Sequence, residues 1–515
     1  MSKVKSAIIT AIVVIAIVVA AVFGVASFNV SATQRYNSIA ASIPLGSDYT
    51  GYVFTTIYPE GVITQSEFNA LSDEDKASYV AEGDLYFSEE ESGNKTLEEI
   101  KEAVSADAAI ISQRLSERGL TDYYVSARDG ISIVAGVPSG YTYAAYKGDS
   151  STDRSNALTL SANTLGYLLA DGELTLRTSD ASITLGDDDT SATVDMTQNA
   201  DEYTDADILG DGSATYPFIG PTEDFTQYFS SVTSYTFGGT HVLSFSLTEE
   251  GREKMREISS TAAYSDSQAI YMCIGDTQVL SITSSSTIDS DTMQFSMSDA
   301  SVAGDTATVL NSVVSGGTLS ADYRSIDTVL SSTAAGGENA ALLAFIGCVV
   351  VLAALCVAAI IKYKKLGGVL SLSFIILALV MLYALYILSV QVTLEVLITC
   401  LGVLVLFAAT NLFVLNEVRA QCKTGKTMQA AIKAAYKRTL MGIIDIHVII
   451  LVAAILLASV AVGAAAACGL ILVVGTIASY VLYWFTRFMW HTCSAPQRNK
   501  FAFGGFKREV YGDDE

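Results

Sequence analysis

Cysteine is scarce where it would matter most. Of 7 cysteines, only Cys273 lies between residues 29 and 339. A single thiol rules out a disulfide framework in that segment, and no Cys-x-x-Cys spacing occurs anywhere in the chain. Cys348, Cys356, Cys400 and Cys468 sit in apolar runs, where cysteine behaves as a small hydrophobe. Histidine is equally sparse. His241, His447 and His491 stand far apart and form no His-Glu-x-x-His or related cluster, so no metal site is expected. Basic charge is missing from the middle of the chain: residues 29–339 hold 14 Lys and Arg against 47 Asp and Glu. A segment that acidic, without a basic patch, excludes nucleic acid as a partner. There is no Ser/His/Asp set, no pair of carboxylates at a readable spacing and no phosphate loop, so neither an enzyme nor a cofactor is expected.

What the chain does have is segregation. Mean hydropathy is +0.40 despite 54 acidic residues, because apolar and acidic residues occupy different stretches. A helix needs about 20 apolar residues to cross a bilayer. Six such runs are present, at 7–28, 340–361, 368–390, 393–415, 440–462 and 465–486. Lys and Arg flanking membrane spans concentrate on the cytoplasmic side. With Lys3 and Lys5 inside, threading six spans puts Lys362, Lys364, Lys365 and the run from Arg419 to Arg438 on that side too. Arg487, Arg498, Lys500, Lys507 and Arg508 also fall there. All 16 basic residues outside the acidic segment then share one side. This predicts a plasma-membrane protein of a bacterium with both termini cytoplasmic and residues 29–339 outside. The expected organisation is an anchor at 1–28, an outer domain at 29–339, a five-helix membrane domain at 340–487 and a cytoplasmic tail at 488–515. Val30-Ser31-Ala32 loosely matches a signal-peptide cleavage site, but the preceding apolar run is longer than a usual signal core, so an uncleaved anchor is expected.

Within the outer segment, residues 50–58 carry a strand signal. Residues 96–119 read as an amphipathic helix, with a capping box at Thr96 and Glu99 and a stop at Gly119. Strands at 122–128 and 131–137 flank Asp129-Gly130, a strong hairpin signal. The pattern returns as a strand at 242–247, a helix from Thr248-Glu249-Glu250 to about Ser260, and strands at 269–274 and 278–283 around Asp276. Strand, helix, strand, strand twice over predicts an α+β domain of two ferredoxin-like halves, with 140–238 as an inserted subdomain. Asp187, Asp188 and Asp189, with Asp205, Asp207 and Asp211, lack the spacing of an EF-hand loop and read as solvated.

One span, a large outer domain and five further spans make half of the two-fold repeat of the resistance–nodulation–division transporters, and local sequence narrows this. Residues 416–445 resemble the SecD family between its fourth and fifth spans, with Arg419, Gly425, Lys426, Ala431, Ile432, Lys437, Arg438 and Asp445 in register. Leu45-Gly46-Ser47-Asp48 is similar to that family's Leu-Gly-Leu-Asp-Leu opening. Phe245-Ser246-Leu247-Thr248-Glu249-Glu250-Gly251 resembles its strand-into-helix motif, and Ser315-Gly316-Gly317-Thr318-Leu319 its Ser-Gly-Ala-Leu-Pro without the Pro. The resemblance implies an accessory subunit of the Sec translocase that draws polypeptide outward, coupled to the proton-motive force. Its implied partners are a SecF-like subunit, the Sec channel, unfolded exported polypeptide and membrane lipid.

Departures from the family are informative. The intramembrane Asp that the family carries in its fourth span is Ala409 here, while Asn411 two positions on is kept. Glu395 stands at a family Pro, and Ile449-Ile450 replace a Thr pair after Asp445. Asp445 lies roughly 9 Å inside its predicted span at helical rise, level with Ala409. A carboxylate there costs about 2.5–3.5 kcal/mol and so needs a partner or a role. His447, Asn411 or a partner chain would supply the first; a helix-start carboxylate eased by the dipole is the plainer reading. Loss of the Asp leaves two alternatives to a proton-driven subunit. One is a scaffold or chaperone partner of the translocon that conducts no protons. The other is a lipid or drug transporter half of the same superfamily.

Overall fold

A computed structural model describes residues 3–29, 35–140, 151–172, 174–178, 225–237, 240–263, 269–275, 277–283, 289–297, 300–324, 329–332, 334 and 339–494. The acidic cluster at 187–211, most of the expected insert at 140–238 and the basic residues beyond 494 lie outside them.

The first helix, α1 (Lys3–Val25), is apolar along its length. The chain then passes through a short helical turn, α2 (Ser47–Thr50), into β1 (Tyr52–Ile57), whose side chains alternate between half-buried and buried as a half-covered strand requires. A small sheet follows, made of β2 (Val62–Thr64), β3 (Val80–Glu82) and β4 (Leu85–Phe87) in the order β2-β4-β3. Helix α3 (Leu97–Glu117) begins at the expected capping box: Thr96 Oγ1 accepts from Glu99 N and the Glu99 carboxylate accepts from Thr96 N. Strands β5 (Tyr124–Arg128) and β6 (Ser132–Pro138) form the expected hairpin, with Asp129 and Gly130 both at positive φ as the turn demands.

Helix α4 (Ser151–Leu168) packs on β1 and β6. The second half comprises β7 (Leu174–Thr178), β8 (Phe229–Phe237), β9 (Thr240–Leu247), α5 (Glu249–Ala263), β10 (Ala269–Ile274), β11 (Thr277–Thr283), β12 (Thr292–Met297) and α6 (Ala300–Val314). The chain then returns as β13 (Leu330–Ser331) to pair with β1. The first sheet thus runs β13-β1-β6-β5, all antiparallel, which is the 4-1-3-2 order of a ferredoxin-like unit closed by a distant fourth strand. The second half keeps the expected element order but spreads its strands over two sheets, β8-β9-β12 and β11-β10-β7. Both edges of β9 are occupied, by β8 and β12, so the β10–β11 hairpin turns to β7 instead. One apolar core joins the halves, running from Val53, Ile133 and Leu115 through Leu165 to Phe245, Met272 and Leu310.

Beyond it, α7 spans Ala340–Ile387, 48 residues. Straight, it would reach about 72 Å, more than twice the hydrocarbon thickness. It is broken at Lys364, whose φ of 51° and ψ of −120° leave the helical region. The chain folds back there: Ser371 Oγ donates to Cys356 O at 3.0 Å, a contact no straight helix permits across 15 residues. Gly367 sits so close to the opposing arm that a Cβ would lie 1.9 Å from Ala359 O. The expected spans at 340–361 and 368–390 are the two arms of this hairpin. Helices α8 (Leu394–Lys423), α9 (Met428–Val460) and α10 (Gly463–Ser494) complete the bundle; with α1 and α7, five helices are long and apolar enough to cross a membrane.

Helices α8 and α9 run well past the expected ends at 415 and 440, leaving only Thr424–Thr427 as a turn, with Gly425 at positive φ. The segment from Arg419 to Arg438 is therefore mostly helical, because charge does not end a helix whose backbone bonds remain satisfied. Arg438 clamps the two arms through Glu417 at 3.1 Å. At this end of the bundle Ser6 Oγ meets Thr492 O, Trp490 Nε1 meets Leu366 O and Gln429 meets His491 O. The start of α1, the α7 break, the α8–α9 turn and the end of α10 therefore share one face, as the distribution of basic residues implied.

Candidate functional site

The opposite end of the bundle carries a polar joint to the α+β domain, and its centre is the Leu45-Gly46-Ser47-Asp48 motif. Gly46 N donates to Val392 O at 2.8 Å and Val392 N donates to Pro44 O at 2.9 Å, a short parallel bridge between the segment before α2 and the α7–α8 loop. Gly46 is required by space. A Cβ there would lie 2.7 Å from Thr393 Cγ2 and 2.9 Å from Val392 O. Asp48 Oδ2 accepts from Leu394 N at 2.8 Å, placing a carboxylate at the N-terminus of α8, where the helix dipole favours it. Thr393 Oγ1 caps the next free amide, Val396 N.

Two further residues lock the joint. Asp122 accepts from Ser47 N at 2.6 Å and from Tyr52 OH at 3.0 Å. The Gln391 side-chain oxygen accepts from Thr121 N at 2.9 Å and Asp122 N at 2.7 Å, while Gln391 N donates to Thr121 Oγ1. Burial, with Asp122 and Asp48 adding to it, pushes the Tyr52 phenol up to about 12, so it remains a donor at neutral pH. Every strand leaving this joint enters the first sheet: Tyr52 opens β1, and Asp122 lies just before β5. Hydrogen bonds of 2.6–2.8 Å thereby link the start of α8 to the base of the α+β domain.

A second cluster fixes the return segment. Arg114 of α3 is fully buried and donates to Ser312 Oγ, Leu168 O, Ala170 O and Gly317 O at 2.7–3.2 Å. Burial lowers its guanidinium to about 10, opposed by the nearby Asp107 and Asp171, so it stays charged at neutral pH. One turn-pair earlier on the same face, Asp107 accepts from Ser320 N, Ala321 N and Tyr323 OH. The Ser315–Leu319 motif is held between these two side chains. The third motif is a helix start: Thr248 Oγ1 caps Gly251 N at 3.1 Å, with Leu247 buried beneath and Gly251 against Tyr228 O.

The membrane candidates are not gathered into one place. Asn411 is fully buried, its amide donating to Phe407 O at 2.9 Å and its Oδ1 without a partner. His447 is buried between Ile443 O and Ser479 Oγ, at 2.8 and 3.2 Å. Asp445 lies on the exposed face of α9, as Ala409 does on α8, and meets neither Asn411 nor His447. Arg419 is exposed, and Lys426 bonds Gln421 across the α8–α9 turn. Among the described residues no group of His, Cys, Asp and Glu could hold a metal.

No protein-family model matches the chain, and no curated protein matches it. Solved structures do. A crystal structure of SecDF in a super-membrane-facing form is 15% identical, covers 96% of this chain and 59% of its own, and superposes with a TM-score of 0.51. SecDF from Thermus thermophilus, described as a translocon-associated membrane protein, is 17% identical over 98% of this chain and 60% of its own, at a TM-score of 0.42. A third SecDF structure, described as a membrane component that enhances protein export, covers 54% of this chain at 12% identity and a TM-score of 0.25. The likeness to the first is one of fold: a multi-pass helical membrane bundle carrying an α+β domain. The fold is that of SecDF, and the chain spans about 59% of the length of that structure.

Proposed function

We propose that this chain is a SecD-like subunit of a protein-export machinery and not an enzyme. It assists the passage of unfolded polypeptide across the plasma membrane of a bacterium, with both termini cytoplasmic and residues 29–339 outside. A SecF-like chain completes the membrane unit and the Sec channel is its neighbour, as the SecDF fold and the 1+5 order of spans suggest. The observation that carries this reading is the joint. Residues of the motif resembling the SecD family, Leu45 to Asp48, tie the start of α8 to the base of the α+β domain. A membrane helix so tied moves a domain outside the bilayer when it shifts, which is what pulling on an emerging chain requires. Gly46→Val places side-chain atoms where Thr393 and Val392 already are. In cells depleted of the native protein, we expect wild-type chain to restore release of an exported reporter. Equal amounts of membrane-inserted G46V should restore less than a tenth of that. Full restoration by G46V would remove the joint from the mechanism, and no response to depletion would remove the export role.

Ala409 supports a second reading, in which the chain is a scaffold and the proton path belongs to its partner. Asp445 decides between the two. It lies exposed on α9, open to a partner chain. In the proton-driven reading Asp445→Asn abolishes the gain in export produced by a proton-motive force; in the scaffold reading it leaves that gain intact.

A further inference from the structure

A cavity of about 510 Å³ lies in the bundle directly beneath the joint. Its walls come from α1, both arms of α7 and the first turns of α8, and its roof is the segment from Ser38 to Tyr49. Because the α8 wall, Leu397 to Leu404, begins at the joint, the cavity occupies the half of the bundle nearest the α+β domain. The lining is almost wholly apolar, from Ala21, Ala344, Leu382 and Leu401. Two wall residues, Phe345 and Val349, are 40% and 48% exposed on the surface that faces lipid, so the cavity has a mouth toward the bilayer.

The lining hydroxyls of Ser27 and Ser38 bond each other, and one further polar atom breaks the pattern. Tyr49 is 5% exposed, lines the cavity, and its hydroxyl has no hydrogen-bond partner among the described residues. Burial, with Asp48 beside it, raises that phenol to about 12, so it is a donor at neutral pH. A buried hydroxyl without a partner costs about 1–3 kcal/mol, so an occupant that supplied the acceptor would be held there.

We propose that this cavity holds one acyl chain of a membrane phospholipid, with an ester oxygen accepting from Tyr49 OH at the roof. Three observations converge on this occupant. The mouth opens sideways into the bilayer, the lining is almost wholly apolar, and the unpartnered Tyr49 hydroxyl sits where a chain's polar end would lie. Size argues against an apolar helix of a translocating polypeptide. Such a helix is about 10 Å across and about 30 Å long through the hydrocarbon, several times the available volume. A volume of this size is ordinary for a small-molecule site. The occupant would brace the roof, which is continuous with Ser47 and Asp48 of the joint.

The test uses the full chain in phosphatidylethanolamine–phosphatidylglycerol vesicles containing a trace of phosphatidylglycerol with a diazirine on one acyl chain. After irradiation, label is mapped by peptide mass spectrometry. Label on 341–352 and 397–404 should exceed that on the exposed α9 face around Val448 and Val452. Ala344→Trp, which fills the cavity, should remove the excess, and Tyr49→Phe should reduce it about fivefold while leaving the chain's unfolding temperature unchanged. Equal label on cavity and α9 face, or an excess that survives both substitutions, would overturn the proposal. Preferential labelling of the same segments by a diazirine-bearing apolar signal peptide would overturn it too.

Discussion

Arg114 spreads its guanidinium over four acceptors from three segments. Arg114→Met keeps the length of the side chain and leaves Leu168, Ala170 and Gly317 carbonyls without their donor. We expect a loss of about 3–5 kcal/mol in the stability of the α+β domain, seen as faster amide exchange across 312–323. The signal for this residue was present in the sequence. Ile100, Val104, Asp107, Ile111 and Arg114 recur at helical spacing, and all five are buried. A carboxylate and a guanidinium on an otherwise apolar stripe mark a buried polar anchor. Gly46 and Asp48 were legible through their motif, whereas Asp122 and Gln391 were not. Their meeting joins residues about 270 apart, and nothing local to either position announces it. Asp445 shows the converse. Its type marks it as costly in a membrane, but its direction depends on which face of α9 packs inward, and the apolar residues around it do not reveal that.

Among elements, the apolar runs coincide with the long helices but not with their ends. Hydropathy reports where lipid begins, whereas a helix ends where its backbone bonds do, so α8 runs on past Arg419 and α9 starts ahead of Lys433. The α7 hairpin was placed correctly by Lys362-Tyr363-Lys364-Lys365, yet its tightness rests on Gly367. Gly367→Ala sets a methyl group 1.9 Å from Ala359 O, which only movement of one arm relieves. We expect a cost of at least about 3 kcal/mol, read as a fall in the unfolding temperature in detergent. Gly368 has nothing within 4 Å of a built Cβ, so Gly368→Ala is the matched control and should leave that temperature unchanged. In the α+β domain, turn chemistry and capping fixed the first hairpin and α3 because both are local. The pairing of β10 with β7 is a long-range choice made by which strand edges remain open, and periodicity alone carries no record of it.

In the whole molecule a helical bundle and an α+β domain meet at a short polar joint. The chain carries the SecDF fold over about 59% of the length of the structure it matches. Ala409 and Asp445 are exposed on α8 and α9. The central claim is thus that this chain acts within an export assembly. It is tested most directly by recovering the tagged protein from native membranes in mild detergent and identifying its companions by mass spectrometry. The account predicts a SecF-like chain together with the Sec channel. Recovery of neither, or of a lipid-handling protein in their place, would contradict it and leave the SecDF fold without the SecDF role.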